Sequence, residues 1–117
     1  DKTVKLEHFK NLVAVAAIDG YLDESEKEFL SKRARDVGLT IQEIDNILGN
    51  ADQLKFVVPF NNVDKEEQLS DVVYMAMVDG EIAEREYNLC LTIAERLGLS
   101  QSEVDEVVNL TKKLWEK

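Results

Sequence analysis

Apolar residues recur at helical spacing in two long stretches of the chain. The two stripes consist of Leu6, Phe9, Val13, Ala16 and Ala17, and of Leu69, Val72, Val73, Ala76 and Met77. Spacings of three and four residues place apolar side chains on one face of a helix, and that face is buried when the helix packs. The pattern therefore predicts two helices, each with a buried apolar face.

Each stripe runs into an Asp-Gly pair, Asp19-Gly20 in the first stretch and Asp79-Gly80 in the second. Glycine accepts the left-handed backbone conformation that commonly closes a helix. We therefore expect Gly20 and Gly80 to cap the C-terminal ends of these two helices.

A second helix is predicted after each Asp-Gly pair. Asp23 and Glu26 have the spacing of a capping box, in which two side chains satisfy free backbone amides at a helix start, whereas the second stretch has Ala83 in place of Asp23. The inner face of the first of these helices is predicted to carry Phe29, Leu30, Arg33 or Ala34, and Val37. Gly38 and Gly98 are expected to end the two helices.

A third helix is predicted to follow in each stretch. Thr40 with Glu43, and Ser100 with Glu103, have the spacing of a capping box. The buried faces are predicted to consist of Ile41, Ile44, Ile47 and Leu48 in one helix, and of Val104, Val107, Val108, Leu114 and Trp115 in the other.

The two sets of helices are related by an internal repeat. When the sequence is aligned with itself so that Asp19-Gly20 falls on Asp79-Gly80, Gly38-Leu39 falls on Gly98-Leu99 with no gaps. A repeat of this kind indicates duplication of one supersecondary unit. We therefore interpret residues 1–117 as a single helical domain with repeat units at about 5–50 and 65–115.

Residues 51–64 fall outside the repeat and are predicted to form an extended linker between the units. Phe56-Val57-Val58 is β-prone, Pro59 disfavours helical angles before it, and Asn61-Asn62 favours a turn. The apolar side chains of the linker are expected to be covered by the helices or by a partner. With no partner strand predicted, the expected fold is all-α, with six to seven helices in two pseudo-repeated three-helix units.

Charge narrows the classes of partner. The 117 residues include 24 Asp and Glu against 14 Lys and Arg, a formal net charge of −10, which repels nucleic-acid phosphates and anionic lipids. No apolar run approaches the roughly 20 residues that span a bilayer. We therefore expect no nucleic acid as a partner and no direct membrane insertion. The single cysteine, Cys90, forms no internal disulfide and fits a reducing compartment.

The first Asp-Gly segment shares four positions with an EF-hand calcium loop, which are an Asp at position 5, a Gly at 6, an aliphatic residue at 8 and a Glu at 12. Asp19 and Glu26 fall at loop positions 5 and 12, but Val15 and Ala17 would occupy positions 1 and 3. Those two positions normally supply oxygen ligands, which apolar side chains do not offer. The sequence therefore argues against an EF-hand.

The repeated Asp-Gly turn, each followed by a helix that ends in Gly-Leu-Ser/Thr, together with the Val-Pro linker, resembles the TerB-like domain of tellurite-resistance proteins and DjlA-type DnaJ co-chaperones. The resemblance covers nearly the whole chain. It implies an all-helical, non-enzymatic interaction module, cytoplasmic and associated with membranes through partners. It also implies divalent-metal chemistry at Asp19, Glu26, Asp79 and Glu86, with Asp23 present in only one copy.

The residues themselves leave three hypotheses open for these carboxylates. They could cap helices and complement helix dipoles, form a weak Ca²⁺ or Mg²⁺ site, or bind a protein partner with a basic surface. Cys90 is expected on the inner side of its helix, where a thiol behaves as a small hydrophobe, and His8 is its only imidazole partner for a nucleophile pair.

Three classes of function follow. The first is a non-enzymatic interaction module of TerB-like type, the second is a small carboxylate-based metal hydrolase, and the third is a structural oligomerisation domain. The third would use the apolar linker from Phe56 to Phe60 as its contact.

Overall fold

Helices make up most of the computed structural model, which describes residues 1–116. In this part of the chain the six α-helices are α1 Lys2–Ile18, α2 Glu24–Asp36, α3 Ile41–Gly49, α4 Asn62–Ala76, α5 Glu84–Leu97 and α6 Gln101–Trp115. A short 3₁₀ helix spans Ala51–Gln53, and two strands, β1 Met77–Val78 and β2 Glu81–Ile82, form an antiparallel hairpin. The predominantly helical fold is confirmed, but the hairpin was not predicted. Among residues 1–116 no helix combines the length and apolar character needed to cross a bilayer.

The chain divides into two compact units, Asp1–Val57 and a second unit that begins at Val58. The boundary lies inside the predicted linker, but the linker prediction is wrong at both ends. Ala51–Gln53 forms the 3₁₀ helix, and α4 already begins at Asn62 because the side chain of Asn61 accepts a hydrogen bond from the N–H of Asp64 at 2.8 Å. Residues 54–61 alone lack regular secondary structure in this region.

In the first unit, Gly20 ends α1 as predicted. Its φ of +78° lies in the left-handed region. The N–H of Tyr21 donates to the carbonyl of Ala16 at 2.8 Å, and the N–H of Gly20 donates to that of Ala17 at 3.4 Å. This pair of bonds is a Schellman motif, which satisfies carbonyls that a helix end leaves free. The chain then reaches Asp23, which begins α2.

The core of the first unit lies along α1, which is buried over almost its whole circumference between His8 and Ala16. The predicted core residues Phe9, Val13 and Ala16, Leu30 and Ala34, and Ile44 and Ile47 are buried. Leu6, Ala17, Phe29, Val37 and Leu48 are only half-buried. The prediction for Ile41 is wrong, since it is 52% exposed: as the first residue of α3 it lies off the face that Ile44 and Ile47 share.

A side-chain amide holds the end of the first unit. Asn11, buried in α1, donates from Nδ2 to the carbonyl of Val57 and accepts from the N–H of Val57 at Oδ1, both at 2.9 Å. The amide thereby supplies the two hydrogen bonds that a neighbouring strand would otherwise give to Val57. These two hydrogen bonds hold the segment around Val57, which belongs to no helix or strand, against α1.

In the second unit, Gly80 does not cap α4, and that prediction is wrong. α4 ends at Ala76, and Met77 is already extended. Asp79, with φ +53°, and Gly80, with φ +78°, form the two-residue turn of the β1–β2 hairpin. Two successive positive φ values define a type I′ turn, whose twist suits paired strands, and Asp-Gly is among its preferred sequences.

The core of the second unit follows the predicted faces with one exception. The whole stripe of α4 and β1 predicted to be buried is buried, and so are Cys90 in α5 and Val104 and Val108 in α6. Val107 and Trp115 are half-buried. The prediction for Leu114 is wrong, since it is 65% exposed: the buried face of α6 follows Val104, Val108 and Thr111, and Leu114 lies off it.

The two left-handed glycines differ in their surroundings. A Cβ atom added to Gly80 would lie 3.3 Å from the Cβ of Trp115, whereas one added to Gly20 meets no atom within 4 Å. We expect Gly20→Ala to lower the free energy of unfolding by about 1–2 kcal/mol through backbone strain. Gly80→Ala should cost more, because the same strain is joined by the contact with Trp115. Chemical denaturation of both variants measures the difference.

Gly49→Ala is the matched control, because Gly49 is helical and its Cβ would also meet no atom within 4 Å. It should leave stability unchanged or raise it by up to about 1 kcal/mol. Equal losses at Gly20 and Gly80 would contradict the role given to Trp115.

Candidate functional site

A cleft of about 450 Å³ opens in the first unit beside the Asp19-Gly20 turn. It lies where the C-terminal ends of α1 and α3 meet the N-terminal end of α2 and the 3₁₀ helix. Its lining consists of Ala17, Gly20, Leu22, Asp23, Lys27, Leu48, Gly49, Ala51 and Asp52. Two glycines and two alanines leave the space open, because their side chains do not fill it.

The cleft has an apolar floor and a charged rim. Ala17, Leu22 and Leu48 are half-buried and Ala51 is buried. Asp23, Asp52 and Lys27 supply the charges of the rim. Apolar and charged side chains therefore both line the cleft.

The C-terminal ends of two helices add to the negative charge of the rim, and the N-terminal end of α2, with its partial positive charge, opposes it. α1 ends at Ile18 and α3 at Gly49, and the C-terminal end of a helix carries a partial negative charge. Lys27 offsets this only in part, since its Nζ lies 3.6 Å from Oε1 of Glu24 in an exposed pair. The site therefore favours cationic groups on a ligand.

Asp23 is the predicted site residue that lines the cleft. Its Oδ1 accepts a hydrogen bond from the N–H of Glu26 at 2.8 Å, so it caps α2 as the sequence indicated. The side chain is exposed and lines the cleft.

The other predicted site residues have different surroundings. Asp19 is the exposed C-cap of α1, and Asp79 is exposed in the hairpin turn. Glu26 and Glu86 are buried in the first turns of α2 and α5, with 2% and 4% of their surface exposed. Within residues 1–116 no group of three or more His, Cys, Asp or Glu side chains is arranged to hold a metal ion. The Ca²⁺ or Mg²⁺ site stays a prediction of the sequence.

The buried Cys90 does not have the chemistry of a nucleophile. Burial raises the pKa of its thiol, and the neighbouring Glu86 carboxylate raises it further. The thiol is therefore protonated at neutral pH, and it is the thiolate that reacts. His8 lies in α1 of the first unit and Cys90 in α5 of the second.

Sequence reasoning missed most of the cleft. Leu48 was assigned to the core and Asp52 to a linker, whereas both line the cleft. Gly49-Asn50 gave a usable signal, because a glycine followed by asparagine favours a helix end. Nothing in the sequence indicated that the 3₁₀ helix after this end brings Asp52 to the same rim as Asp23.

Comparisons with protein-family models, with curated proteins and with solved structures gave no match to this chain.

The state of Cys90 gives a prediction that separates a structural thiol from a reactive one. In the folded protein we expect alkylation by iodoacetamide to be at least about a hundredfold slower than in urea, because the thiol is buried and its pKa is raised. Stability should also fall as pH rises above about 8.5, where an unfolded thiol ionises and the folded one does not. Mass spectrometry of the alkylated protein follows the rate, and Cys90→Ala is the control for the pH effect. Alkylation of the folded chain at the rate of the unfolded one would contradict the assignment.

Proposed function

We propose that this chain is a non-enzymatic protein-interaction module of TerB-like type, which binds a partner with a basic surface at the first Asp-Gly turn. The observation that carries the proposal is the open cleft with Asp23 and Asp52 on its rim. An apolar floor supplies binding energy, and the two carboxylates select cationic partners.

The charge of the whole chain supports the same class of partner. A formal charge of −10 attracts basic proteins over long distances and accelerates their association at low ionic strength. At one place the cleft adds two carboxylates and two helix C-termini to this field, which Lys27 and the N-terminal end of α2 offset in part. The general field brings a partner to the chain, and the local charges orient it.

A metal hydrolase is less well supported by the same site. Hydrolysis needs a nucleophile with a base, or a metal-bound water that several ligands hold. The lining residues of the cleft include no His, Cys or Ser, and its two carboxylates are accompanied by Lys27. The protonated Cys90 adds no nucleophile elsewhere.

The duplication inferred from the sequence belongs to this proposal as well. In the repeat alignment the first residues of α1, α2 and α3 fall on the first residues of α4, α5 and α6, which are Asn62, Glu84 and Gln101. We interpret the two sets as copies of one three-helix unit, of which the first keeps Asp23 and the cleft while the second has Ala83 and the hairpin. A cytoplasmic location is part of the same proposal.

An oligomerisation domain is the second candidate, and it rests on Phe60. This side chain is fully exposed next to Val63, which is 70% exposed, so the helices do not cover Phe60 and its cover by a partner stays a prediction. Phe60→Asp with sedimentation velocity tests this candidate. A wild-type dimer that becomes a monomer in the Phe60→Asp variant would support the oligomerisation domain.

A charge-removal experiment tests the interaction module. Asp23→Asn keeps the cap, since asparagine caps a helix about as well as aspartate, and Asp52→Asn removes the second charge. We expect basic proteins captured from a cell extract by the immobilised wild type to bind the double variant about tenfold less at low salt. Quantitative mass spectrometry of the bound proteins measures the change.

Asp45→Asn is the matched control, because Asp45 is exposed in α3 and does not line the cleft. The Asp45→Asn variant should capture the same basic proteins, in the same amounts, as the wild type. Equal capture by the double variant, or capture that high salt does not weaken, would contradict the proposal.

A further inference from the structure

We propose that the cleft beside Gly20 receives an aromatic side chain from a lysine-rich helix of the partner, in the way that Trp115 covers Gly80 in the second unit. The inference rests on the proposed function and names the chemistry of the partner. The two glycine turns, at Gly20 in the first unit and at Gly80 in the second, differ in what lies against them.

In the second unit an aromatic residue covers the glycine turn. A Cβ added to Gly80 would lie 3.3 Å from the Cβ of Trp115. The indole ring also stacks on Tyr74 of α4, with ring centroids 5.7 Å apart and planes inclined by 20°. Lys112, three residues before Trp115, lies on the same side of α6. The last turn of α6, which is basic and carries an aromatic residue, therefore packs over this glycine turn.

The first unit has no such cover, because its third helix is shorter. α3 ends at Gly49, which corresponds to Asn109 in the repeat alignment, whereas α6 continues to Trp115. A Cβ added to Gly20 would meet no atom within 4 Å. The place that the end of α6 covers in the second unit is open in the first.

At three positions the side chains that line the cleft are also smaller than those at the equivalent positions of the second unit. Ala17, Gly49 and Ala51 correspond in the repeat alignment to Met77, Asn109 and Thr111. The smaller side chains leave the volume of about 450 Å³ over a floor of Leu22 and Leu48. Tryptophan buries roughly 150–250 Å² when it fills such a place, and this makes it a frequent anchor of interfaces.

The two units differ in charge at two pairs of corresponding positions. Asp52 on the rim of the cleft corresponds to Lys112 in the second unit, and Asp23 corresponds to Ala83. A helix with lysine near its tryptophan would place that lysine at the acidic rim. Charge complementarity therefore favours a basic partner helix and disfavours an acidic one.

The occupant is a separate protein and not the α6 helix of a second copy. Trp115 is already engaged within its own unit, where it stacks on Tyr74 and lies against Gly80. A second copy would have to release this contact before its α6 could bind elsewhere.

Fluorescence anisotropy of a dye-labelled peptide tests the proposal. The probe is a peptide with the sequence of residues 108–117, VNLTKKLWEK, which carries the Lys-Lys-x-Trp pattern. It is titrated with the full chain at low and at high salt. We expect saturable binding that weakens with salt, and a loss of at least about tenfold when the peptide carries Trp115→Ala.

Two variants of the chain locate the binding. Gly49→Leu fills the mouth of the cleft, and its Cβ meets no atom within 4 Å, so the helix should tolerate it. We expect it to weaken binding at least about tenfold. Asp52→Lys reverses a rim charge and should weaken binding at low salt, whereas the matched Asp45→Lys, away from the cleft, should not. Circular dichroism melting of each variant confirms that it is folded.

Several outcomes would overturn the inference. One is the absence of binding at about 1 mM peptide, and another is peptide binding that Gly49→Leu leaves unchanged. A third is a wild-type dimer that dissociates in the Gly49→Leu variant, which would identify a second copy as the occupant. The proposed function fails separately, when Asp23→Asn with Asp52→Asn keeps all its protein partners. The charge variant could lose its protein partners while the Gly49→Leu variant still binds the peptide as tightly as the wild type. That result would support the interaction module and contradict the aromatic anchor.

Discussion

The left-handed backbone at Gly20 is the constraint on which the first unit depends. It lets Gly20 and Tyr21 donate back to the last carbonyls of α1, so the helix ends there and the chain turns away. Asp23 follows within three residues and begins α2 by capping the N–H of Glu26. The end of α1 and the start of α2 are thus held side by side, and the acidic side chain of Asp23 is exposed to solvent at this point. The cleft lies at this junction.

The same pair of residues has another role in the second unit. Asp79-Gly80 forms a hairpin turn because both residues adopt positive φ, and the end of α6 lies against it through Trp115. In the first unit α3 stops at Gly49, and Asn11 instead directs the chain into an extended segment at Val57. One turn is covered from within the chain and the other is open. That difference links the fold to the proposed function, since an open apolar surface with acidic edges suits a basic partner.

Local signals explain what was predictable from the sequence. The capping boxes at Thr40 and Ser100 are confirmed because each rests on two side chains within four residues, and the buried stripe of α4 is confirmed because its period is regular. The hairpin was missed because an Asp-Gly pair suits both a helix end and a type I′ turn. Ile41 and Leu114 were misassigned because each lies just off a buried face at a helix end. The cleft depends on how the 3₁₀ helix places Asp52, which is a tertiary matter that sequence spacing does not encode.

The most direct test of the aromatic anchor is an isotope-filtered NOESY spectrum of the ¹³C-labelled chain with the unlabelled peptide of residues 108–117. We expect intermolecular NOEs from the indole protons of the peptide to the methyl groups of Ala17, Leu22 and Leu48, which line the cleft. NOEs to Tyr74 instead would show that the peptide displaces the chain's own α6. Either that pattern or the absence of NOEs to the three cleft residues in a saturated sample would contradict the account.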